Sequence, residues 1–209
     1  MKIAEKFRIA DKFRKYRLVP VVVVNSVQEA ETVLGGLCDG GLAIAEICFR
    51  TPCAEEVLRF AVKNFPKMLI GAGTVINGEQ CIRAIQAGAK FIVSPGISEE
   101  AALICMQKAI PYLPGVVTST EIIKAISLEI PTVKFFPAEN VGGLKGLKAV
   151  AAAFPQMTFV PTGGINQDNL AAYLSFDKVV ACGGSWMTKG TREEIARKTR
   201  LAVTLTESL

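Results

Sequence analysis

Eight short apolar runs alternate along the chain with eight amphipathic segments, and this alternation limits the possible folds more than any other feature. The runs predicted as strands are Leu18–Val24, Ala43–Phe49, Met68–Ala72, Lys90–Ser94, Ile110–Leu113, Pro131–Phe136, Met157–Pro161 and Lys178–Cys182. The segments predicted as helices are 26–39, 52–64, 77–87, 98–108, 118–128, 141–153, 166–175 and 191–206. Continuously apolar strands indicate a parallel sheet, because helices cover both of its faces.

Eight βα units without a linker or a change in composition predict one domain, residues 1–209, folded as a (β/α)₈ TIM barrel. The alternation of charged and apolar residues in MKIAEKFRIADKFRKYR predicts an additional N-terminal helix. Thr118-Ser-Thr-Glu121 fits a capping box, and Asn77, Ser98 and Asn166 are placed to act as N-caps. An open, doubly wound sheet is the structural alternative, but it requires a reversal of strand order that a sequence does not reveal.

Composition excludes several kinds of site. The chain contains no histidine, so histidine-dependent triads, His-x-x-x-His zinc sites and imidazole acid–base catalysis are ruled out. The six cysteines form no C-x-x-C pair and lie mostly in apolar runs, as free thiols do in a reducing compartment. Any catalysis at neutral pH must then use a carboxylate, a lysine, a hydroxyl, a backbone group or a cofactor.

Charge and hydropathy also limit the partners. No apolar run approaches the ~18 residues of a membrane span, and the first residues lack the apolar stretch of a signal peptide. We therefore expect a cytoplasmic protein without a membrane partner. The formal charge of +5 lies largely near the two ends of the chain, which favours solvated helix faces over nucleic-acid binding.

Two charged residues lie inside apolar runs that are predicted as strands: Lys134 and Glu46. Helices cover the outer face of such strands, and an unpaired buried charge is costly. One interpretation is a partly buried salt-bridge network that joins Glu46, Arg50 and Lys134. The other is a reactive site in which Lys134 attacks a keto carbon, Glu46 moves protons and Arg50 binds a carboxylate. Because side chains alternate along a strand, Glu46 and Arg50 are predicted to point the same way.

Three glycine-rich segments lie at the C-terminal ends of predicted strands, where barrel enzymes build their sites. In Gly71-Ala-Gly-Thr-Val75, Thr74 is placed to bind a substrate carboxylate, and the glycines admit close backbone approach. Pro161-Thr-Gly-Gly-Ile165 follows the seventh strand, and Gly183-Gly-Ser-Trp186 follows the eighth. Glycine amides beside helix N-termini bind anions, and barrels frequently hold phosphate after these two strands. The two segments therefore predict a phosphate site.

Together these residues resemble the 2-keto-3-deoxy-6-phosphogluconate (KDPG) and 4-hydroxy-2-oxoglutarate (KHG) aldolase family. The resemblance runs from about residue 18 to residue 190. Its six motifs, which stand in family order, are Glu46-Ile-Cys-Phe-Arg-Thr51, Gly71-Ala-Gly-Thr-Val75, Ser94-Pro-Gly96, Lys134-Phe-Phe-Pro-Ala-Glu139, Pro161-Thr-Gly-Gly-Ile165 and Gly183-Gly-Ser-Trp186. The Lys-Phe-Phe-Pro-Ala-Glu motif is highly specific.

This resemblance implies a lyase that needs no metal or other cofactor, usually a homotrimer, that cleaves KDPG reversibly to pyruvate and glyceraldehyde 3-phosphate. The small-molecule substrate is then a keto-acid phosphate, with KHG as a second substrate. By the same resemblance, Lys134 forms a Schiff base and Glu46 is the general acid and base, while Arg50 and Thr74 hold the pyruvyl carboxylate. The residues expected to line the pocket or surround the phosphate are Pro95, Phe136, Thr162, Gly163, Gly164, Gly184 and Ser185.

Three alternatives remain open at this point. The 2-keto-3-deoxy-6-phosphogalactonate aldolases share the lysine chemistry and differ in the stereochemistry of the substrate hydroxyl. A phosphate-binding barrel isomerase or decarboxylase explains the glycine segments but leaves Lys134 unexplained. A non-catalytic sugar-phosphate-binding barrel predicts ligand binding without turnover or an imine.

Overall fold

The computed structural model describes residues 9–209 as nine short strands, nine α-helices and a 3₁₀ turn at Glu139–Val141. The strands are β1 (Leu18–Val22), β2 (Ile44–Cys48), β3 (Leu69–Gly73), β4 (Ile92–Val93), β5 (Tyr112–Leu113), β6 (Gly115–Val116), β7 (Thr132–Phe135), β8 (Thr158–Pro161) and β9 (Cys182–Gly184). The helices are α1 (Ile9–Tyr16), α2 (Val27–Asp39), α3 (Ala54–Asn64), α4 (Gly78–Gln86), α5 (Glu99–Lys108), α6 (Ser119–Ser127), α7 (Gly143–Ala151), α8 (Leu170–Leu174) and α9 (Arg192–Glu207). Helix α1 belongs to the predicted N-terminal helix, and residues 1–8 of that prediction lie outside the described residues.

The strands form one closed parallel barrel. Strands β5, β4, β3, β2, β1 and β9 lie side by side in that order, and β6, β7 and β8 form a second run. Strands β5 and β6 are the two parts of one strand that is interrupted at Pro114. On the other side, parallel bridges from Phe159 to Val179 and from Thr162 to Gly183 join β8 to the strand of β9. The barrel thus has eight strands, which confirms the predicted fold and excludes the open sheet.

An aromatic pair fills the end of the barrel at which the strands begin. Phe13 of α1 is fully buried and packs edge-to-face on Phe91, with ring centroids 5.3 Å apart. The ring of Phe91 occupies the space beside Gly71, where an added Cβ would lie 2.3 Å from it. Because all strands are parallel, their C-terminal ends share the opposite face, which is where barrels carry their sites.

Most of the predicted helix starts are confirmed. Thr118 and Glu121 form the predicted capping box at the start of α6. Asn77 and Ser98 accept hydrogen bonds from helix amides at the starts of α4 and α5. In the described part of the chain, no helix is both long enough and apolar enough to cross a bilayer.

The two largest differences from the predicted boundaries are the starts of α8 and β9. Asn166 is not an N-cap, because its side chain accepts from the amides of Asp168 and Asn169 in a turn, and α8 begins only afterwards. The eighth strand was predicted at Lys178–Cys182, but its ladder with β1 runs over β9 and so begins only at Cys182. Among residues 178–181, only Val179 forms a bridge, with Phe159. Cross-strand register, which is not a local property of the sequence, sets this shift.

Candidate active site

Lys134 and Glu46 meet inside the barrel. The Nζ of Lys134 lies 3.4 Å from Oε1 of Glu46, with only 3% and 2% of the two side chains exposed. Lys134 belongs to β7, which pairs with β6 and β8, whereas Glu46 belongs to β2, which pairs with β1 and β3. The contact therefore spans the barrel interior. Both charges are removed from water, and such a pair is tolerated only because each charge compensates the other.

Gly73 of β3 provides the space that the Glu46 carboxylate occupies. A Cβ at Gly73 would lie 2.0 Å from Oε1 and 2.5 Å from Cγ of Glu46. The glycines at 71 and 73 were predicted to admit close approach of a substrate to the backbone. Their contacts give a different reason, because Gly71 makes room for an aromatic ring of the barrel core and Gly73 for the carboxylate.

Phe136 and Cys48 complete the immediate surroundings of this pair. The Nζ of Lys134 lies 5.2 Å from the centroid of the Phe136 ring, a cation–π distance. The Sγ of Cys48 lies 3.8 Å from Oε1 of Glu46 and is placed to donate a hydrogen bond to it. Burial, together with the nearby carboxylate, raises the pKa of Cys48 to about 12, so the thiol keeps its proton at neutral pH.

Arg50 and Thr74 form a second polar pair where β2 and β3 end. The Nε of Arg50 donates to Oγ1 of Thr74 over 2.9 Å. Arg50 is exposed, so the expectation that it is buried with Glu46 and Lys134 is wrong. Strand β2 ends at Cys48, and the Arg50 amide donates to the Cys48 carbonyl, so the chain turns before strand alternation reaches Arg50. The interpretation as one partly buried network of three charges is therefore replaced by one buried ion pair and a separate pair near the surface.

The loop after β8 lies against the strand that carries Lys134. The amide of Thr162 donates to the carbonyl of Phe135 over 2.9 Å. A Cβ at Gly163 would lie 3.3 Å from the ring of Phe136, and a Cβ at Gly183 would lie 2.3 Å from Oγ1 of Thr162. The structure thus brings Thr162 and Gly163 into the surroundings of Lys134.

Gly163 and Gly164 both adopt left-handed backbone conformations, with φ of 97° and 78°. Among the described residues, neither amide donates to a backbone carbonyl. Successive amides in such turns form concave sites for anions. The helix N-terminus that was expected beside these glycines does not contribute, because α8 begins only at Leu170.

The other predicted pocket residues lie at or just beyond the ends of β4 and β9. A Cβ at Gly115, the register partner of Lys134, would lie 2.1 Å from the carbonyl oxygen of Pro95, so Pro95 lies beside the strand of the lysine. Gly184 is the last residue of β9, and Ser185 follows it at the surface. The prediction that both glycines of this segment follow the strand is therefore wrong. In residues 9–209, no group of three or more metal-binding side chains is placed to hold an ion.

The fold and these contacts agree with one family of enzymes. The family model for "KDPG and KHG aldolase" matches residues 9–201. The chain belongs to the KDPG and KHG aldolase family. Because aldolases are carbon–carbon lyases, membership separates this chain from the non-catalytic sugar-phosphate-binding barrels and from the barrel isomerases and decarboxylases.

Relatives and solved structures agree with this membership. The 2-dehydro-3-deoxy-phosphogluconate aldolase of Treponema pallidum is 40% identical over 179 residues, which cover 86% of this chain and 85% of that protein. The 2-keto-3-deoxy-6-phosphogluconate aldolase of Zymomonas mobilis ZM4, solved with 3-phosphoglycerate, has a TM-score of 0.90 at 33% identity and covers 95% of this chain and 97% of its own. The KDPG aldolase of Legionella pneumophila, solved with pyruvate captured at low pH as a covalent carbinolamine intermediate, has a TM-score of 0.84 at 33% identity. This match covers 100% of this chain and 98% of the Legionella pneumophila chain.

Two contacts of this candidate site were not predicted from the sequence. Cys48 was interpreted only as a free thiol, although strand alternation places it on the same face as Glu46 and so carried the signal. The role of Gly73 as the space for Glu46 had no local signal, because it depends on the register between β2 and β3.

Proposed function

We propose that this chain is a class I aldolase that cleaves KDPG to pyruvate and glyceraldehyde 3-phosphate, and KHG to pyruvate and glyoxylate. The buried 3.4 Å contact between Lys134 and Glu46, in a member of this family, is the observation that carries the proposal. A barrel that only bound a sugar phosphate would gain nothing from burying two charges. The carbinolamine of pyruvate in the Legionella pneumophila aldolase supports the same covalent chemistry here.

In the proposed reaction, Lys134 forms a covalent bond to C2 of the substrate. The ammonium group first transfers a proton to Glu46, and the free amine attacks the C2 carbonyl to give a carbinolamine. Glu46 returns that proton to the C2 hydroxyl, which leaves as water, so the nitrogen becomes a protonated imine. The face of the Phe136 ring, 5.2 Å from the nitrogen, stabilises this positive charge.

Glu46 then moves the protons of carbon–carbon cleavage. It accepts the proton of the C4 hydroxyl while the C3–C4 bond breaks, and C4 becomes the aldehyde carbon of the first product. The electron pair of the broken bond passes to the imine and gives an enamine. Glu46 protonates C3 of the enamine, and water then adds to the protonated imine. The carbon–nitrogen bond breaks to release pyruvate, and the Lys134 nitrogen leaves as the ammonium group with which the cycle began. The Cys48 thiol, 3.8 Å from Oε1, orients the carboxylate for these transfers.

The remaining site residues bind the two ends of the substrate. The Arg50 guanidinium, whose Nε donates to Thr74, offers its terminal nitrogens to the C1 carboxylate in a bidentate contact. Thr162 and Pro95 line the pocket between the two ends. The phosphate is bound where β8 and β9 end, by Gly163, Gly164, Gly184 and Ser185.

We also propose that the chain assembles as a homotrimer through an apolar patch formed by helices α4, α5 and α6 and by Ile76, which lies just before α4. Exposed large apolar side chains mark protein interaction sites when they are contiguous. The members of the apolar patch, with their exposed fractions, are Ile76 (57%), Ile82 (44%), Leu103 (52%), Met106 (38%) and Ile123 (59%). An ion pair between Glu99 and Lys124 joins α5 to α6 beside the patch. A cytoplasmic location is supported by the six free cysteines.

A coupled assay of pyruvate release tests the proposed reaction with KDPG, with its galactonate-series epimer and with KHG. We expect turnover of KDPG and KHG and slower turnover of the epimer. Lys134→Arg keeps a cation beside Glu46 but removes the nucleophilic amine, so it should abolish turnover. Absence of pyruvate from KDPG and KHG alike, or turnover by Lys134→Arg, would contradict the proposal.

Ser185→Ala tests the phosphate end separately. Loss of a hydroxyl from the phosphate site should raise KM for KDPG and leave KM for KHG close to its wild-type value. An equal rise for both substrates would count against the proposed location of the phosphate.

A further inference from the structure

Glu139 and Tyr173 form a side-chain clamp beside the glycine turn after β8. The Tyr173 hydroxyl donates a hydrogen bond to Oε1 of Glu139. Tyr173 lies on α8 with only 1% of its surface exposed, whereas Glu139 follows the strand of Lys134. The Glu139 amide donates to the carbonyl of Gly163 over 3.1 Å, so the backbone of the clamp is also joined to the turn.

The stem of the Glu139 side chain crosses the turn. A Cβ at Gly164 would lie 2.5 Å from Cγ and 2.6 Å from Cβ of Glu139, so the stem fills the space beside Gly164. The carboxylate lies beyond it at Gly143, where a Cβ would lie 3.1 Å from Oε1 of Glu139 and 3.5 Å from the Tyr173 hydroxyl. Tyr173 therefore holds the charged end of the side chain at the start of α7.

We propose that Tyr173 and Glu139 are positioning residues for phosphorylated substrates, in which the Tyr173 hydroxyl holds the Glu139 carboxylate away from the phosphate site. The inference rests on the proposed function, in which the amides of Gly163 and Gly164 bind phosphate. Without the hydrogen bond from Tyr173, the Glu139 carboxylate would be free to rotate about its side-chain bonds toward the glycine turn. The aliphatic part of that side chain already lies beside Gly164. Like charges repel, so phosphate affinity would fall.

Tyr173 is the donor of the hydrogen bond in the clamp at neutral pH. Burial, and then the Glu139 carboxylate, raises the pKa of Tyr173, so its hydroxyl remains a donor at neutral pH. Hydrogen bonds from a hydroxyl to a carboxylate are among the stronger ones in proteins. The described contacts of the clamp do not include Lys134 or Glu46, so the clamp should affect binding of the phosphate and leave the chemical step unchanged.

Three variants test the proposal: Tyr173→Phe, Glu139→Gln and the double variant. KM and kcat are measured with KDPG and KHG, and inorganic phosphate is tested as an inhibitor of KHG cleavage. Tyr173→Phe should raise KM for KDPG roughly tenfold, the size of one charged hydrogen bond, and weaken phosphate inhibition similarly. Its kcat and its KM for KHG should stay within about twofold of wild type. Tyr16→Phe, which removes a hydroxyl from α1, is the matched control.

The double variant distinguishes repulsion of phosphate by the Glu139 charge from structural damage caused by loss of the Tyr173 hydroxyl. Because Gln carries no charge, Tyr173→Phe/Glu139→Gln should restore KM for KDPG to within about threefold of wild type. A double variant no better than Tyr173→Phe, or a Tyr173→Phe enzyme impaired equally on KDPG and KHG, would overturn the proposal. Failure of the proposed function is distinguishable, because it would appear in the wild-type enzyme as an absence of KDPG cleavage.

Discussion

Replacing Gly73 by alanine tests whether the position of the Glu46 carboxylate governs turnover. The new Cβ would lie 2.0 Å from Oε1, 2.5 Å from Cγ and 2.6 Å from Cδ of Glu46. Since nonbonded heavy atoms approach to about 3.5 Å, the carboxylate has to move by roughly 1 Å or more. A displacement of about 1 Å costs roughly 10²-fold in rate, so kcat should fall about 100-fold, which corresponds to about 2.7 kcal/mol.

The assay is pyruvate release from KDPG at saturating substrate, with circular dichroism to verify folding. Overpacking costs about 1–3 kcal/mol, so Gly73→Ala should unfold at a lower temperature and remain folded at 25 °C. Gly96→Ala is the matched control, because a Cβ at Gly96 meets nothing within 4 Å. This control should keep kcat within about twofold of wild type.

The refuting result is a folded Gly73→Ala enzyme with the kcat of wild type. It would mean that the carboxylate of Glu46 can leave its observed place without consequence, and proton transfer would then have to be assigned to another group. A 100-fold loss in Gly73→Ala beside an unchanged Gly96→Ala would support the assignment.

Three further predictions address the carboxylate end, pH and assembly. Thr74→Val removes the hydroxyl that accepts from the neighbouring guanidinium, so KM for KDPG should rise roughly tenfold in the pyruvate assay, and an unchanged KM would count against this site. Desolvation raises the pKa of Glu121, but hydrogen bonds from Thr118 and Val117 outweigh it and hold the pKa below its usual range. The ionised Glu121 carboxylate therefore stabilises the folded protein at neutral pH, and this stabilisation is lost as pH falls through the pKa that Glu121 has in the folded state. Glu121→Gln should lower Tm by about 2 °C at pH 7 and by less below about pH 4, whereas a pH-independent difference would refute this. Ile123→Glu, within the apolar patch, should convert the proposed trimer to a monomer in light scattering, and a trimer that survives the substitution would exclude this surface.

The barrel could be predicted because each of its βα units carries its own local signal. Apolar runs and helical periodicity indicated all eight strands. The predicted element bounds are wrong where the structure depends on contacts between distant residues or on side-chain hydrogen bonds. The eighth strand is shifted because Val19 pairs with Gly183 and Pro20 with Gly184. Helix α8 starts late because the Asn166 side chain forms a turn.

The centre of the site could be predicted for a different reason. Lys134 and Glu46 are charged residues within otherwise apolar strands. Because buried charges are costly unless they are paired, the two were expected to lie together. Arg50 was expected to be buried because strand alternation was extended past the observed end of β2. The contact between Tyr173 and Glu139 joins residues 34 positions apart, on elements whose packing no local pattern specifies.

Borohydride reduction in the presence of pyruvate tests the central claim most directly. The amine of Lys134, buried beside Glu46, should form an imine that reduction makes permanent, and peptide mapping by mass spectrometry should find the pyruvyl adduct on Lys134 alone. Lys134→Arg should acquire no adduct. A wild-type enzyme that gains no adduct, or gains it on another lysine, would contradict the account.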